Sequence, residues 1–278
     1  YRSTGGNQII GEQKMKGIVL AGGRGTRLSP ITDVVSKQLL PIYNSPMIHY
    51  PVSTLMQMGV REILVISTPR DLPQYSELLG DGSRIGVEFT YIEQHTPGGL
   101  PQAFLLGEDF IGEERVVLIL GDNIFHSDSL SELLMDANQR HSGSTIFGVE
   151  VQNPESFGIA QIGESGEVLR IVEKPEKWIG NTAVTGLYIY DSDVVRIAKG
   201  LVPSSRGELE ISELNQIYLD QGRLSLLNLG EEVAWMDTGT FEGLFEASEY
   251  IRMIHNNEGS SAGNLDLIAK ELGFIDSI

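Results

Sequence analysis

Cysteine is absent from the 278 residues of this sequence, and so is any long apolar run. Without cysteine the chain forms no disulfide, zinc–thiolate site or catalytic thiol, a composition that agrees with a reducing compartment. Apolar runs such as residues 116–120 fall far short of the roughly 20 residues that a membrane helix needs. No signal-peptide pattern opens the chain. We therefore expect a cytoplasmic protein that makes no contact with a membrane.

Basic residues are scarce: 20 lysines and arginines stand against 38 aspartates and glutamates, which gives a formal net charge of −18. A surface of that charge repels a nucleic-acid polymer, so we expect no such partner. The acidity otherwise indicates solubility. A small anionic ligand stays open, because several basic residues cluster within residues 22–37.

Several familiar catalytic signatures are missing as well. The chain has no GxSxG nucleophile elbow and no Walker loop, and Leu28 stands where a dinucleotide-binding fingerprint needs glycine or alanine. The histidines show no metal-ligand spacing; they are His49, His95, His126, His141 and His255. The best match is therefore a reaction that needs only positioning and charge neutralisation, such as phosphoryl or nucleotidyl transfer.

The chain does carry a glycine turn, within the segment GIVLAGGRGTRLSPITDVVSKQLLPI at residues 17–42. Its glycines allow a tight curl in which several N–H groups converge on one anion, and they are Gly22, Gly23 and Gly25. Its basic residues supply the charge that a polyphosphate needs, and they are Arg24, Arg27 and Lys37. The turn predicts a phosphate site, although the glycines alone also fit a βα turn without a ligand.

Beyond the turn, β-rich apolar runs alternate with amphipathic segments. That order predicts an α/β fold with a Rossmann-like, doubly wound, mostly parallel sheet. Between residues 158 and 175, short alternating strands around a glycine-rich turn predict a small β-hairpin or lid inserted in that fold. Thr240 is placed to cap a long amphipathic helix over residues 241–255.

Two aspartates follow predicted strands: Asp122 stands at the edge of an open parallel sheet where ligands bind, whereas the sequence alone does not show that Asp237 meets it there. Asp122 is the last residue but one of the segment VVLILGDN, and Asp237 lies in WMDTGT before a predicted helix. Mg²⁺ usually binds through one or two carboxylates plus substrate phosphates, so both aspartates are candidate metal ligands. Taken singly, Asp122 fits a turn or cap equally well, and Asp237 fits a helix entry.

The segment Glu173-Lys174-Pro175 ends another predicted strand. Lys174 can bind a phosphate as a point charge while Glu173 accepts hydroxyl protons, a pairing that suits a phosphorylated sugar. An exposed Glu–Lys pair at a strand end explains the same segment.

Seven segments together resemble the sugar-1-phosphate nucleotidyltransferase family: GIVLAGGRGTRLSPIT, SKQLLPI, LGDNIF, EKP, AVTGLYIYD, RGELEI and AWMDTGT. The resemblance covers residues 16 to about 258, and SKQLLPI and GGLPQAF are similar to the family's thymidylyl branch. It implies an enzyme in which a sugar-phosphate oxygen attacks the α-phosphorus of a nucleoside triphosphate and expels pyrophosphate. For the thymidylyl branch it implies dTTP and glucose 1-phosphate as substrates, dTDP-glucose as product, Mg²⁺ as cofactor, and a homo-oligomer that is a dimer or tetramer.

The resemblance also implies roles for individual residues. The catalytic residues are Arg27, Lys37 and Asp122, and the Mg²⁺ ligands are Asp122 and Asp237. The nucleotide is bound by Leu20, Gly22, Gly23, Gly25, Thr26, Arg27, Lys37, Gln94, Gly99, Leu100 and Asp122, of which Gln94, Gly99 and Leu100 read the pyrimidine edge. The sugar phosphate is bound by Phe157, Gly158, Glu173, Lys174, Val184 and Gly186.

The chain departs from the family pattern in two places. Phe157 stands where relatives often carry tyrosine, so a hydroxyl contact to the sugar is missing. Residues 259–278 form only a partial C-terminal helical segment after a nucleotidyltransferase domain at residues 15–258, which leaves the oligomer and any regulatory site open. We interpret residues 1–14 as a leader ahead of a native start at Met15.

Two alternative functions stay open. A transferase of the same fold could prefer UTP, since a missing methyl group changes binding by only about 1–3 kcal/mol. A non-catalytic sugar-nucleotide sensor would keep the pocket without turnover. Intact Arg27, Lys37, Asp122 and Asp237 argue against the sensor, because a pocket without catalysis is free to lose its charges.

Overall fold

The computed structural model describes residues 14–23, 25–138, 142–258 and 260–276. The predicted leader, apart from Lys14, and Arg24 of the glycine turn lie outside these ranges. Thirteen strands run through the described part of the chain. In chain order they are β1 (Met15–Leu20), β2 (Pro41–Ile42), β3 (Ser45–Pro46), β4 (Glu62–Ser67), β5 (Glu88–Glu93), β6 (Arg115–Leu120), β7 (Asn123–His126), β8 (Ser144–Glu150), β9 (Gly158–Ile162), β10 (Val168–Glu173), β11 (Thr182–Tyr190), β12 (Leu224–Asn228) and β13 (Ala234–Asp237).

Nine of these strands form the central sheet, in the order β10-β9-β11-β6-β1-β4-β5; β8 also pairs with β11, and β12 pairs with β8. β1 pairs in parallel with β6 and β4, and β4 pairs in parallel with β5. Within the described sheet, β10 and β11 alone run against the other strands. The predicted mostly parallel sheet is confirmed. Its central strands are apolar almost throughout because both of their faces are covered.

One edge of β11 is shared by two different strands. Residues 187–190 pair with β6, whereas Thr182 and Ala183 pair with β9. The stretch between them, residues 184–186, has no strand partner on this side among the described pairings. β9 and β10 form the antiparallel hairpin that the sequence predicts. The hairpin is continuous with the main sheet, and a gap over β11 separates it from β6.

Helices cover both faces of this sheet. Alternate residues of β1 point to opposite sides, so that Val19 joins one hydrophobic cluster and Ile18 the other. No helix in the described ranges combines the length and apolar character needed to cross a membrane. In chain order the helices are α1 (His49–Gln57), α2 (Leu72–Leu79), α3 (Gln102–Leu106), α4 (Glu108–Ile111), α5 (Leu130–Asn138), α6 (Asp193–Lys199), α7 (Ile211–Asp220), α8 (Phe241–Glu258) and α9 (Leu265–Glu271).

The two faces are built by different helices, which confirms the doubly wound arrangement. α1, α2, α5 and α9 supply side chains to the cluster that contains Val19. α3, α4, α6 and α7 supply side chains to the cluster that contains Ile18. The helical segment predicted after residue 258 corresponds to α9. Its residues Leu265 and Ile268 lie in the same cluster as α1, so this segment packs on the body of the protein.

α8 lies against the small strand pairs at the end of the sheet that carries the site. Ala247, Ile251 and Ile254 recur at helical spacing and are buried in a third cluster. Thr240 caps this helix as predicted, because its Oγ1 accepts a hydrogen bond of 3.0 Å from the backbone N–H of Gly243. β13 ends just before this cap, which fixes where Asp237 stands.

Candidate active site

The glycine turn and Asp122 emerge side by side, because they follow neighbouring parallel strands. Leu20 at the end of β1 is in register with Leu120 at the end of β6. Both connections therefore leave the sheet at its carboxyl edge, where open α/β sheets bind ligands. Asp237 reaches the same place from 115 residues further on, since β13 pairs with β7 and sets Asp237 opposite Asn123. The two candidate metal ligands thus come close together, an approach that the sequence alone does not establish.

A first cavity of about 210 Å³, the glycine-turn cavity, opens above this edge. Its lining includes these predicted nucleotide residues: Leu20, Gly22, Gly23, Lys37, Gln94, Gly99, Leu100 and Asp122. Sequence reasoning missed four other lining residues: Gln38, Pro97, Leu120 and Glu208. Gly25 and Thr26 instead form the end of the turn, where Gly25 adopts a left-handed φ of 61°. That conformation favours glycine and starts the short helical turn that carries Arg27.

A second cavity of about 220 Å³, the hairpin cavity, lies between the β9–β10 hairpin and β6. All six predicted sugar-phosphate residues line it: Phe157, Gly158, Glu173, Lys174, Val184 and Gly186. Arg27, Asp122 and Asp237 line it too. The glycine-turn and hairpin cavities share Leu100, Leu120 and Asp122. Two compartments therefore meet at the candidate metal ligand.

Lys37 forms an ion pair with Asp122 at this junction, and only 7% of the lysine side chain is exposed. The short helical turn at Lys37–Leu39 is held from below by a buried network. In that network Ser36 and Tyr75 both donate to Gln38 Oε1, at 3.0 and 3.1 Å. A buried lysine needs a charged partner such as Asp122, since an unpaired buried charge is strongly destabilising.

Asp237 is a largely buried carboxylate with a raised pKa. Burial is the main cause of the raised pKa, and the negative charge of Asp122 adds to it. Lys37, Arg27 and the backbone N–H of Gly239, which donates to Asp237 at 3.1 Å, oppose the shift. The described residues contain no group of three His, Cys, Asp or Glu side chains suited to a metal. Two neighbouring carboxylates that repel each other fit a cation whose other ligands come from phosphates and water.

The hairpin places Glu173 and Lys174 in the lining of its cavity, and Arg206 approaches Glu173 from another segment of the chain. Burial raises the pKa of Glu173, and the neighbouring Lys174 and Arg206 counteract that rise. Lys174 has a left-handed φ of 42°, and its N–H donates to the carbonyl of Phe157 at 3.0 Å. Arg206 pairs with Glu210 at 2.6 Å and lies 4.0 Å from Glu173. Sequence reasoning missed Arg206, although the segment RGELEI contains it.

Asn123 is a further residue that sequence reasoning missed, although it follows Asp122 directly. Its Oδ1 accepts from Trp235 Nε1 at 2.7 Å and from the backbone N–H of Gly186 at 2.9 Å. Its amide nitrogen donates to Asp122 at 3.2 Å. Phe157 packs edge-to-face on Trp235, with ring centroids 5.2 Å apart. Asn123 therefore ties the wall of the hairpin cavity to the carboxylate at the junction.

The fold is that of a nucleotidyltransferase, and the chain belongs to the nucleotidyl transferase family, whose sequence profile matches residues 16–253. It is similar to the glucose-1-phosphate thymidylyltransferase of Neisseria meningitidis, at 49% identity over 94% of this chain and 91% of the relative.

Two solved structures are similar as well. A Bacillus anthracis protein, provisionally assigned as a glucose-1-phosphate thymidylyltransferase and bound to sucrose, matches with a TM-score of 0.79 and 42% identity, over 86% of this chain and 95% of that one. A UDP-glucose pyrophosphorylase bound to UDP-glucose matches with a TM-score of 0.77 and 26% identity, over 87% of this chain and 99% of that one. These likenesses confirm the family and the fold class that the sequence motifs indicate.

Proposed function

We propose that this enzyme makes dTDP-glucose and pyrophosphate from dTTP and glucose 1-phosphate. The observation that carries the proposal is the meeting of two cavities at Asp122, one lined by the glycine turn and the other by the hairpin. A transferase with two substrates needs such a junction, because its reacting atoms must lie about 3–3.5 Å apart before reaction. The similarity to the Neisseria meningitidis enzyme supports the thymidylyl reaction.

The glycine-turn cavity is our proposed site for dTTP. Leu20, Gly22, Gly23, Gly25 and Thr26 would surround the triphosphate with backbone groups. Gln94, Gly99 and Leu100, which also line this cavity, would contact the pyrimidine. Gln94 offers both a donor and an acceptor for that contact.

The hairpin cavity is our proposed site for glucose 1-phosphate. Phe157, Gly158, Val184 and Gly186 would form the wall against the sugar ring, and Glu173 would accept hydrogen bonds from its hydroxyl groups. Lys174 would bind the sugar phosphate. Arg206, which lies 4.0 Å from Glu173, adds a positive charge on the same side.

The reaction forms one bond and breaks another at the α-phosphorus. An oxygen of the sugar phosphate attacks, the bond to the oxygen that bridges to the β-phosphorus breaks, and pyrophosphate leaves. The protein supplies no covalent intermediate in this scheme. Lys37 and Arg27 stabilise the charge that develops on the transferred phosphate and on the leaving pyrophosphate.

Family members need a divalent cation, and we propose that Asp122 and Asp237 hold Mg²⁺ in this chain. The raised pKa of Asp237 beside Asp122 supports this assignment, since a cation between the carboxylates would relieve their repulsion. When bound, Mg²⁺ would neutralise negative charge on the phosphates of the nucleotide.

Pyrophosphate release tests the proposed function. We expect release that requires dTTP, glucose 1-phosphate and Mg²⁺ together, and no turnover at saturating Mg²⁺ would overturn the proposal. Lys174→Ala should raise KM for glucose 1-phosphate with little effect on KM for dTTP. The matched control is Lys177→Ala, because Lys177 is exposed three residues further along the chain.

UTP is the second candidate substrate. The relatives near 50% identity are thymidylyltransferases and do not favour it. A site that reads a pyrimidine edge nevertheless distinguishes uracil from thymine only through one methyl group, so the preference needs a direct measurement. The ratio of kcat/KM for dTTP and UTP, measured in competition, decides between them. A homo-oligomer, as dimer or tetramer, and a place in the cytoplasm remain predictions. Sedimentation analysis of the purified chain tests the first, and cell fractionation tests the second.

A further inference from the structure

Gln102, the first residue of α3, is hydrogen-bonded to Gln94, one of the residues that we propose to contact the pyrimidine. Its Oε1 accepts a hydrogen bond of 2.7 Å from Gln94 Nε2. The same oxygen accepts a second hydrogen bond of 2.8 Å from the backbone N–H of Gly98. Gln94 lines the glycine-turn cavity and is only 5% exposed, so its amide has few ways to move.

Gly98 determines the order of donors and acceptors along the hydrogen-bonded path from Gly98 through Gln102 to Gln94. A backbone N–H can only donate, so the side of the Gln102 amide that faces Gly98 must be its oxygen. That oxygen in turn needs a donor from Gln94, which turns the nitrogen of the Gln94 amide toward Gln102. The Gln94 oxygen then lies over Gly22, where even a methyl side chain would come within 2.0 Å of it. The Gln94 amide is therefore held in one of its two orientations.

The anchor of this path is itself fixed to another part of the chain. The carbonyl of Gly98 accepts a hydrogen bond of 2.9 Å from the backbone N–H of Leu209. Gly99 forms a parallel bridge with the same residue. Gly98 is thus held on both sides, and it can set the orientation of Gln102 rather than follow it.

We propose that Gln102 is a positioning residue that determines base specificity, because it fixes which end of the Gln94 amide faces each atom of the base. This inference rests on the proposed function, in which Gln94 contacts the pyrimidine. Thymine and uracil present an N–H donor at N3 beside a carbonyl acceptor at C4. Cytosine presents the reverse, an acceptor at N3 and an amino donor at C4. A free glutamine could rotate its amide to match cytosine, whereas a fixed one leaves cytosine mispaired.

Gln102→Leu tests the proposal, with kcat/KM measured for dTTP and dCTP by pyrophosphate release. We expect the ratio of the two values to fall by about tenfold or more, the effect of one net hydrogen bond. The change should come mainly from a higher KM for dTTP and a lower KM for dCTP. Gln102→Glu keeps the accepting oxygen and should retain the wild-type ratio within about threefold. An unchanged ratio in Gln102→Leu would overturn the proposal.

A double-mutant cycle separates this role from simple loop stability. In a Gln94→Leu background, Gln102→Leu should change the ratio no further, since Gln102 acts through Gln94. A further fall of the ratio in that background would contradict the mechanism. Gln102→Met is the second variant if thermal unfolding shows that Gln102→Leu does not fold.

Equilibrium binding of dTTP and dCTP distinguishes a failure of the proposed function from a failure of the inference about Gln102. If the wild type binds dTTP but releases no pyrophosphate, the proposed function fails, and the inference is still tested by the binding ratio in wild type and variants. If Gln94→Leu leaves the binding preference unchanged, base reading by Gln94 and the inference both fail.

Discussion

Lys37 and Asp122 form a largely buried ion pair at the point where the glycine-turn and hairpin cavities meet. Lys37 arrives from the connection after β1, and Asp122 from the end of the neighbouring β6. The ion pair thus fixes the Lys37 ammonium group beside Asp122, the carboxylate that we propose as a Mg²⁺ ligand. Substrate phosphates entering this junction would meet a positive charge that is already desolvated and oriented, which is the arrangement that electrostatic catalysis requires.

Lys37→Gln should lower kcat by about 100-fold or more, since removal of one preorganised charge contact commonly has an effect of that size. The binding of dTTP should weaken less than kcat falls. Stopped or continuous pyrophosphate assays check this, with Lys177→Gln as the exposed control. A kcat within threefold of wild type would remove Lys37 from the catalytic machinery.

Asp122→Asn and Asp237→Asn should each lose most of kcat, because a neutral amide is a poorer Mg²⁺ ligand than a carboxylate. Higher Mg²⁺ should restore part of the loss. Activity titrated against Mg²⁺ checks both variants, and Asp136→Asn on the exposed face of α5 is the control. Near-normal turnover in either variant at low Mg²⁺ would exclude that residue from the metal site.

Asp237→Asn should stabilise the metal-free protein at neutral pH, by about 2–4 °C in Tm. Burial and Asp122 raise the pKa of Asp237 above its value in the unfolded chain, so the folded state binds this proton more tightly. The wild type therefore gains stability as pH falls through the raised pKa, and loses it as pH rises.

The stability advantage of Asp237→Asn over wild type should accordingly shrink as the pH falls from 7 into the acid range. Urea unfolding of both proteins in chelator, at a series of pH values, measures it. If the difference in unfolding free energy between Asp237→Asn and wild type widens as pH falls, the raised pKa of Asp237 is contradicted. Asp136→Asn should show no such pH dependence.

Asn123→Ala should destabilise the protein by about 2–4 kcal/mol, because it leaves the N–H groups of Trp235 and Gly186 without their acceptor. Trp235→Phe removes only one of those contacts and keeps the ring that packs on Phe157, so it should have the smaller effect. Urea unfolding measures both. Equal effects would mean that the shared oxygen of Asn123 has little importance.

Phe157→Tyr should lower KM for glucose 1-phosphate by about threefold to tenfold, the effect of one added hydrogen bond. The aromatic contact with Trp235 is kept in this variant, so kcat and Tm should stay close to wild type. Steady-state kinetics with the sugar phosphate varied checks this. An unchanged KM would show that the hydroxyl has no partner in the hairpin cavity.

The sequence predicts the sheet and most helices correctly, because their signals are local. The apolar strands before Gly22 and Asp122 and the cap at Thr240 can each be read within about ten residues. The juxtaposition of the glycine turn and Asp122 was also predictable, since the carboxyl ends of parallel strands meet at one edge.

Other parts of the site depend on contacts between distant segments. Trp235 reaches Asn123 across 112 positions, and only the pairing of β13 with β7 brings the two together. Arg206 and Gln102 likewise belong to segments whose neighbours the sequence does not reveal. The same holds for α9, whose packing through Leu265 is a long-range contact. Local patterns carry no information about such pairings, which are decided by the tertiary fold.

Residues 184–186 of β11 pair with neither β6 nor β9 and form the floor of the hairpin cavity, so this floor is a stretch of strand without a neighbour strand on that side. The side chain of Asn123 takes the place of a neighbour strand at one point, since its Oδ1 accepts from the backbone N–H of Gly186. Such a floor keeps its shape when the side chains at its rim change. New specificity can therefore arise at the rim, through residues such as Phe157 and Lys174, without any change in the sheet.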